Sequence, residues 1–484
     1  MSEHEQIRLL MAVILGAILA VIVYVGAFNK SKTVDDSFVR SSRYDPILSP
    51  TQLVLVLAIL IACSFLLGFQ SEIFSLFLQL IIELAVYFAM LLALLPLLRK
   101  VIRPGTVAAL WLLPNVLYFT CYAYMQPSRP VLVLPISLGS SLWLPVIWGV
   151  GFLAVMVRAI AVHLTYRKQL LRGAVPVAEP EILAMWEEEK ATMSLEKYKL
   201  PLVRSADTAT PLSIGLWPRT THVVLPLQDY TADELRLIFR HELIHIRRQD
   251  PAAKLFLTLC QAACWFNPLM WIAMRRCAED LELGCDELVL TAADSATRET
   301  YARLVLRTAG DERGFTTCLS AKARSLRYRL QGIVTERKRL AGGLLVGILV
   351  VVLLMCNGLV AFAYAPSRGE DAIFRGRSAD CEPENIYTLP DAKWHPFQYD
   401  FYTCKDPSAL RQYLAELELY HISGLYDPRD DYLYVSYSDV SVRLYDRMIQ
   451  VTRFLTPTET ETQLFYCPQG VDLDRLISLL EEMP

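Results

Sequence analysis

The chemistry of this chain starts in one helical turn. The run Phe239-Arg240-His241-Glu242-Leu243-Ile244-His245-Ile246-Arg247-Arg248 sets His241 and His245 four residues apart. On a helix their imidazoles leave the same face and can share one metal ion. Glu242 lies next to His241 and can serve as general base on a water without itself binding the metal. The motif is short, and alone it also arises by chance on a charged helix surface. A second run, Glu279-Asp280-Leu281-Glu282-Leu283-Gly284-Cys285-Asp286-Glu287, adds carboxylates. Glu282 and Asp286 are again four apart, and a carboxylate from a second helix suits zinc as third ligand with a fourth position left open. The expectation is one Zn2+ per chain on His241, His245 and Glu282, with Glu279 one turn earlier as the alternative third ligand. Asp286 is expected to accept the spare N–H of a liganding histidine and so orient its ring. Glu279, Asp280 and Glu287 otherwise read as a solvated face.

These residues need two helices and a support. Thr231-Ala232-Asp233-Glu234 has the S/T-x-x-E form of a capping box, which starts the histidine helix. The apolar stretch from Ala252 to Met274 is interrupted by Lys254, Gln261, Asn267 and Pro268. Crossing a membrane there would put the two halves of the metal site on opposite sides, so a helical hairpin under the histidine helix is expected. Thr220 to Leu225 reads as a strand, with His222 a strand residue rather than a ligand. His163 ends an apolar segment, and His395 and His421 lie in the tail, across the membrane from the metal site.

The wider chain is apolar. Of its 484 residues 54% are hydrophobic, and the formal net charge is −3. No basic patch interleaves with aromatics, so nothing favours nucleic acid as a partner. The eleven cysteines show no paired CxxC spacing, which leaves at most one disulfide among Cys381, Cys404 and Cys467. Apolar blocks of membrane-spanning length fall at about Leu9–Phe28, Gln52–Phe69, Ile73–Leu98, Thr106–Tyr124, Leu142–His163 and Ala341–Tyr364. Lys30, Lys32, Arg40, Arg43, Arg99, Lys100, Arg103, Arg167, Lys168 and Arg337-Lys338-Arg339 all fall on one side of such an arrangement. By the positive-inside rule that side is cytoplasmic and both termini lie outside. The expected organisation is two N-terminal transmembrane helices (1–70), three core ones (71–164), a cytoplasmic metallopeptidase domain (165–340), a last transmembrane helix (341–364) and an extracytoplasmic domain (365–484). The fold class is an α-helical polytopic membrane protein with an inserted α+β gluzincin-like zinc domain and a small C-terminal α+β domain. In the tail, strand-like Asp431–Tyr437 and helix-like Pro407–Leu419 and Leu473–Glu482 support that last part. The basic segment Arg324–Leu330 reads as a topogenic cluster or as a linker that carries a signal or is cut by the enzyme itself.

Arg240-His241-Glu242-x-x-His245-x-Arg247-Arg248-x-Asp250, then Trp265-Phe266-Asn267-Pro268, then Glu282-x-x-Cys285-Asp286-Glu287 resemble the BlaR/MecR family of membrane metallopeptidases. Pro211–Pro218 and Val223–Pro226 are similar to the family's strand segment before the zinc helix, and the resemblance covers roughly residues 75–365. It implies a zinc endopeptidase in the membrane of a bacterial cell, acting in signal transduction on a protein substrate such as a cytoplasmic repressor. It also implies that an extended substrate adds to the sheet edge at Ile214, Gly215 and Leu216; a purely structural strand is the alternative there. The chain departs from the family's β-lactam receptors, because no S-x-x-K occurs in residues 365–484, so β-lactam acylation is not expected. The expected partners are a protein or peptide substrate, the lipid bilayer and an unidentified extracytoplasmic ligand. The rival functions are a non-catalytic membrane receptor and a housekeeping protease without a sensing role.

Overall fold

The computed structural model describes residues 3–28, 55, 59, 72–114, 127, 129–135, 143–291, 293–308, 317–318, 323–334, 339–375, 382–389, 400–422, 426, 432–455 and 459–482. The expected span at 52–69 apart from residues 55 and 59, the second half of the one at 106–124, Cys381, His395 and Arg337-Lys338 lie outside them.

Among the described residues, the chain runs first through α1 (Glu3–Phe28), α2 (Glu72–Val101), α3 (Pro104–Leu110) and α4 (Trp143–Arg172). Within α2 and α4, Gln79–Val101 and Val146–Arg172 are long and apolar enough to cross a membrane. Helix α5 (Pro180–Thr192) and the histidine helix α6 (Ala232–Arg248) follow, then α7 (Asp250–Ala263), α8 (Pro268–Val289), α9 (Ser295–Arg307), α10 (Ala323–Val334) and the apolar α11 (Gly343–Cys356). Helix α1 lies along α11. A Cβ on Gly16 would stand 2.7 Å from the Gly347 carbonyl oxygen, and one on Gly347 would stand 2.9 Å from that of Gly16. Small residues at both positions let the two backbones meet, the usual way apolar helices pack without a hydrophobic gradient between them.

Helix α11 is shorter than the expected 341–364. Asn357 turns extended after it, Gly358 has φ +76°, and Val360 enters strand β7 (Val360–Arg368). Its 14 residues rise about 21 Å at 1.5 Å each, against the ~30 Å of a bilayer core.

The region around the histidine helix is built on a five-stranded sheet in the order β2 (Val175–Pro176), β3 (Leu202–Arg204), β5 (His222–Leu225), β4 (Leu212–Ile214), β6 (Thr317–Cys318). Strands β3 and β5 run parallel and the other pairs antiparallel. Gly215 closes the β4–β5 hairpin at φ +147°, where a Cβ would come within 2.5 Å of the Thr221 Cα. One face of the sheet and the apolar side of α6 bury a common core in which Val223, Leu225, Phe239 and Leu243 meet Trp186 of α5 and Leu304 of α9. Trp186 and Phe239 stack edge to face at 5.1 Å.

The tail folds as a ten-stranded sheet, β1-β7-β10-β14-β13-β12-β11-β8-β9-β15. Its strands after β7 (Val360–Arg368) are β8 (Asn385–Leu389), β9 (Asp400–Cys404), β10 (Glu418–Ile422), β11 (Tyr432–Ser436), β12 (Val440–Leu444), β13 (Met448–Phe454), β14 (Thr460–Tyr466) and β15 (Leu480–Glu482). The expected strand near 431–437 is β11. The two tail helices stop early, at Glu416 and Ser478, and the chain passes into β10 and β15. Strand β1 (Leu132–Pro135), from the connection between α3 and α4, pairs parallel with β7. The sheet thus takes a strand from well outside 365–484, which alternation within the tail could not show. Cys404 and Cys467 are free thiols.

Candidate metal centre

Helix α6 starts where its sequence says it should. Thr231 Oγ1 accepts from the Glu234 amide at 3.3 Å, and the Glu234 carboxylate accepts from the Thr231 amide at 2.9 Å, the two bonds of a capping box. The helix ends at Gln249, whose left-handed φ of 58° turns the chain directly into α7. The apolar run 252–274 is indeed a helical hairpin, α7 and the first part of α8, joined at Cys264–Asn267, with the Asn267 side chain accepting from the Leu269 amide. This hairpin lays α8 beside α6.

His241, Glu242, His245 and Glu282 are all at most 1% exposed. The Nε2 atoms of His241 and His245 lie 3.0 Å apart. Glu282 brings Oε2 to 3.5 Å from the first and Oε1 to 3.5 Å from the second. Ligands at ~2.0–2.1 Å around a tetrahedral zinc stand about 3.3 Å from one another, so the three donors converge as that ion needs.

The outer edges of both rings are held. His245 Nδ1 lies 2.6 Å from Asp250 Oδ2, at the start of α7. His241 Nδ1 lies 2.8 Å from the Tyr301 hydroxyl of α9, which donates at 2.7 Å to Asp286 Oδ1. Asp286 cannot donate when ionised, so the network puts a proton on each Nδ1 and a lone pair on each Nε2. Two such lone pairs 3.0 Å apart, facing the buried Glu282 carboxylate, form an electron-rich pocket suited to a cation. The donor set fits zinc.

Cys285 is a rival third donor, since its Sγ comes within 4.8 Å of donor atoms of both histidines. The sulfur stands 3.3 Å from His241 Nδ1 and 3.4 Å from the His241 carbonyl oxygen. That is the ring edge opposite Nε2, so the geometry favours Glu282. Glu279 is turned away, paired with Arg99 and Arg276.

Glu242 is enclosed between the histidines and β4. Burial pushes its carboxyl up, against the pull of His241, His245 and a hydrogen bond from Ser213. Of the expected substrate-binding residues, Ile214 is fully buried and pairs with His222 on the inner side of the hairpin. The outer edge of β4 is taken at Leu212 and Ser213 by β6, so an extended substrate along this edge has to displace that two-residue strand.

Three residues escaped the sequence reading of the site. Asp250 stood in a quoted motif without a role. Tyr301 intervenes where direct contact with Asp286 was expected; Asp286 Oδ1 is 3.9 Å from His241 Nδ1. Arg329 lay in the basic segment read as a topogenic cluster or a linker, with no role at the metal site; it is fully buried. Its Nε and Nη2 grip both Asp286 oxygens at 2.8 and 2.7 Å, and Nη1 is 3.3 Å from Glu282.

The solvated-face reading of Glu279, Asp280 and Glu287 also gives way. Asp280 is 1% exposed, accepts from Arg99 Nε at 2.7 Å and from the Trp111 indole at 2.8 Å, and Glu287 accepts from the Gly105 amide. The side of α8 away from the histidines is covered by the end of α2 and by α3.

Residues 136–333, which include His241, Glu242, His245, Asp250, Glu282, Cys285, Asp286, Tyr301 and Arg329, match the family model described as BlaR1 peptidase M56. This segment is similar to BlaR/MecR-type peptidases. Regulatory protein BlaR1 of Bacillus licheniformis is 27% identical over 188 residues, 37% of this chain and 31% of that protein. The chain thus matches about a third of the length of that curated relative. M56 peptidases are metallopeptidases, and within the matching segment His241 and His245 are the two donors on which the geometry and the motif agree.

Proposed function

We propose that the chain is a multi-pass zinc metalloendopeptidase that cuts a protein substrate at the cytoplasmic face of a bacterial membrane, in signal transduction. His241, His245 and Glu282 hold one zinc ion. The observation that carries this reading is the convergence of two imidazole Nε2 atoms and one buried carboxylate within 3.0–3.5 Å, with Glu242 beside them. Zinc bound there supplies Lewis-acid polarisation of the scissile carbonyl and lowers the pKa of a water. Glu242, raised by burial toward the range of a working general base, takes the proton of the attacking water on its carboxylate and passes it to the leaving amine. Asp250 and the Tyr301–Asp286 pair keep both imidazoles in the tautomer and orientation that binding requires. Arg329 balances the charge of Asp286 and Glu282 in a site closed to solvent.

Both termini outside, residues 165–340 inside and an outer tail that senses a ligand complete the proposal. The membrane part is supported by the two long apolar helices, and the regulatory part by the likeness to a protein named as regulatory. Proteomes of cells carrying the wild type and Glu242→Gln test it. Protein fragments present only with the wild type are expected; identical fragment patterns under every inducing condition would remove the peptidase reading.

A further inference from the structure

The hairpin of α7 and α8 reaches far along the two helices that are long enough to cross a membrane. Its turn touches α4 at Trp148 and Gly151. The Trp148 indole donates to the Ala263 carbonyl at 2.9 Å and the Trp265 indole to the Trp148 carbonyl at 3.2 Å, and a Cβ on Gly151 would stand 2.2 Å from the Trp265 ring. On the other side the Cys264 thiol faces the Ile81 carbonyl of α2 at 3.8 Å. Trp148 and Ile81 each lie two residues inside the start of their apolar stretches, Val146–Arg172 and Gln79–Val101. At the far end of α2, Arg99 pairs with Glu279 and Asp280 of α8. The hairpin therefore lies beside nearly the whole apolar length of α2, with its turn at the end remote from the metal centre.

Its chemistry suits that place. No Asp, Glu, Lys or Arg occurs between Lys254 and Arg275. The polar groups of the turn find partners within the protein: the Asn267 amide donates to the Cys264 carbonyl at 2.8 Å, the Asn267 side chain accepts from the Leu269 amide at 3.0 Å, and the Trp271 indole donates to the Trp265 carbonyl at 3.0 Å. Pro268, first in α8, has no N–H to satisfy. Non-helical backbone at membrane depth has to be satisfied in this way. Outward the tip is apolar: Phe266 is 57% exposed, Leu269, Trp271 and Ile272 are exposed beside it, and so are Val150 and Leu153 on either side of Gly151. We infer that α7 and the first half of α8 form a re-entrant hairpin, which enters the bilayer from the cytoplasmic side between α2 and α4, turns at Cys264–Asn267 inside the hydrocarbon core and presents Phe266, Leu269, Trp271 and Ile272 to lipid acyl chains. Helix α7 rises about 21 Å over its 14 residues, enough to reach the middle of a ~30 Å core and too little to cross it. Lys254, Arg275 and Arg276 then fall toward the inner interface, where cations belong. Both ends of the hairpin hold the metal centre, Asp250 at its entry and Glu282 beyond its exit, so the centre is fixed at the inner membrane surface.

This inference rests on the proposal that α2 and α4 cross a membrane with residues 165–340 in the cytoplasm, and the test separates the two. The full-length chain in inside-out vesicles is treated with a charged, membrane-impermeant maleimide carrying polyethylene glycol, and adducts beyond those of the native cysteines are read on a gel. Glu299→Cys, at an exposed position of α9, should add its adduct in intact vesicles. Phe266→Cys and Ile272→Cys should react on the order of a hundredfold more slowly, because the reagent's charge has to enter the core. Val150→Cys should be protected to the same degree, and all three should react once the vesicles are dissolved in SDS. Phe266→Cys and Ile272→Cys reacting as fast as Glu299→Cys, with Val150→Cys still protected, would place the hairpin in the cytoplasm and overturn the inference. Val150→Cys reacting as well would remove the membrane proposal itself. In wild-type vesicles, with no substitution, an apolar diazirine dissolved in the bilayer should label residues 264–274 along with α4 on illumination; label on α4 alone would overturn the hairpin equally.

Discussion

Replacing Tyr301 by phenylalanine removes one oxygen from the support of the metal site and keeps the ring that fills the core. The hydroxyl is the partner of the His241 Nδ1–H and itself donates to Asp286. Asp286 loses little, because Arg329 still grips both of its oxygens. The orphaned group is the buried Nδ1–H. Leaving such a donor without a partner costs about 1–3 kcal/mol, and the nearby Cys285 sulfur, a weak acceptor, brings the expectation to the lower half of that range. The larger effect falls on zinc. With the ring no longer fixed and its basicity no longer raised, affinity should drop by about 10–100-fold. Competition with a chromophoric chelator measures the zinc affinity, and thermal unfolding of the metal-free protein measures the stability. A loss of stability at unchanged zinc affinity would refute the positioning role and leave Tyr301 as a core residue only.

Further outcomes follow from other parts of the fold. Arg99→Met leaves Asp280 buried with only the Trp111 indole, and breaking a pair this enclosed should cost about 3–5 kcal/mol, read as a lowered unfolding temperature in detergent. Thr231→Ala removes the capping hydroxyl of α6 and should cost about 1 kcal/mol with zinc still bound; a loss of zinc at full stability would mean the cap does more than start the helix. Reporter fusions after Arg103 and Lys190 should report cytoplasm and a fusion after Pro484 the outside; a cytoplasmic C-terminus would overturn the orientation and leave the metal chemistry intact.

The sequence made local features legible and distant ones illegible. The capping box, the four-residue histidine spacing and the hairpin are encoded within a few turns of chain, and they appear as read. Glu282 could be chosen because helical periodicity ties it to a face. The partners of the rings depend on contacts that spacing does not carry: Tyr301 reaches His241 across 60 residues, and Arg329 reaches Asp286 across 43. Asp250 was within reach of inspection, since it lies just past the left-handed Gln249 that turns α7 back toward His245. Asp280 and Arg329 were misread for one reason. A charged residue in an amphipathic run looks solvated until the packed neighbour that pairs with it is known, here Arg99 for one and Asp286 for the other. In the tail, single strands were readable, but the strand β1 that joins their sheet comes from more than 200 positions earlier in the chain.

The central claim is that His241, His245 and Glu282 hold the metal while Glu242 does not. Elemental analysis of the purified full-length chain tests it most directly. About one zinc per chain is expected in the wild type, in Glu242→Gln and in Cys285→Ala, and almost none in Glu282→Ala. Zinc retained in folded Glu282→Ala and lost from Cys285→Ala would contradict the account and move the third ligand to the thiol.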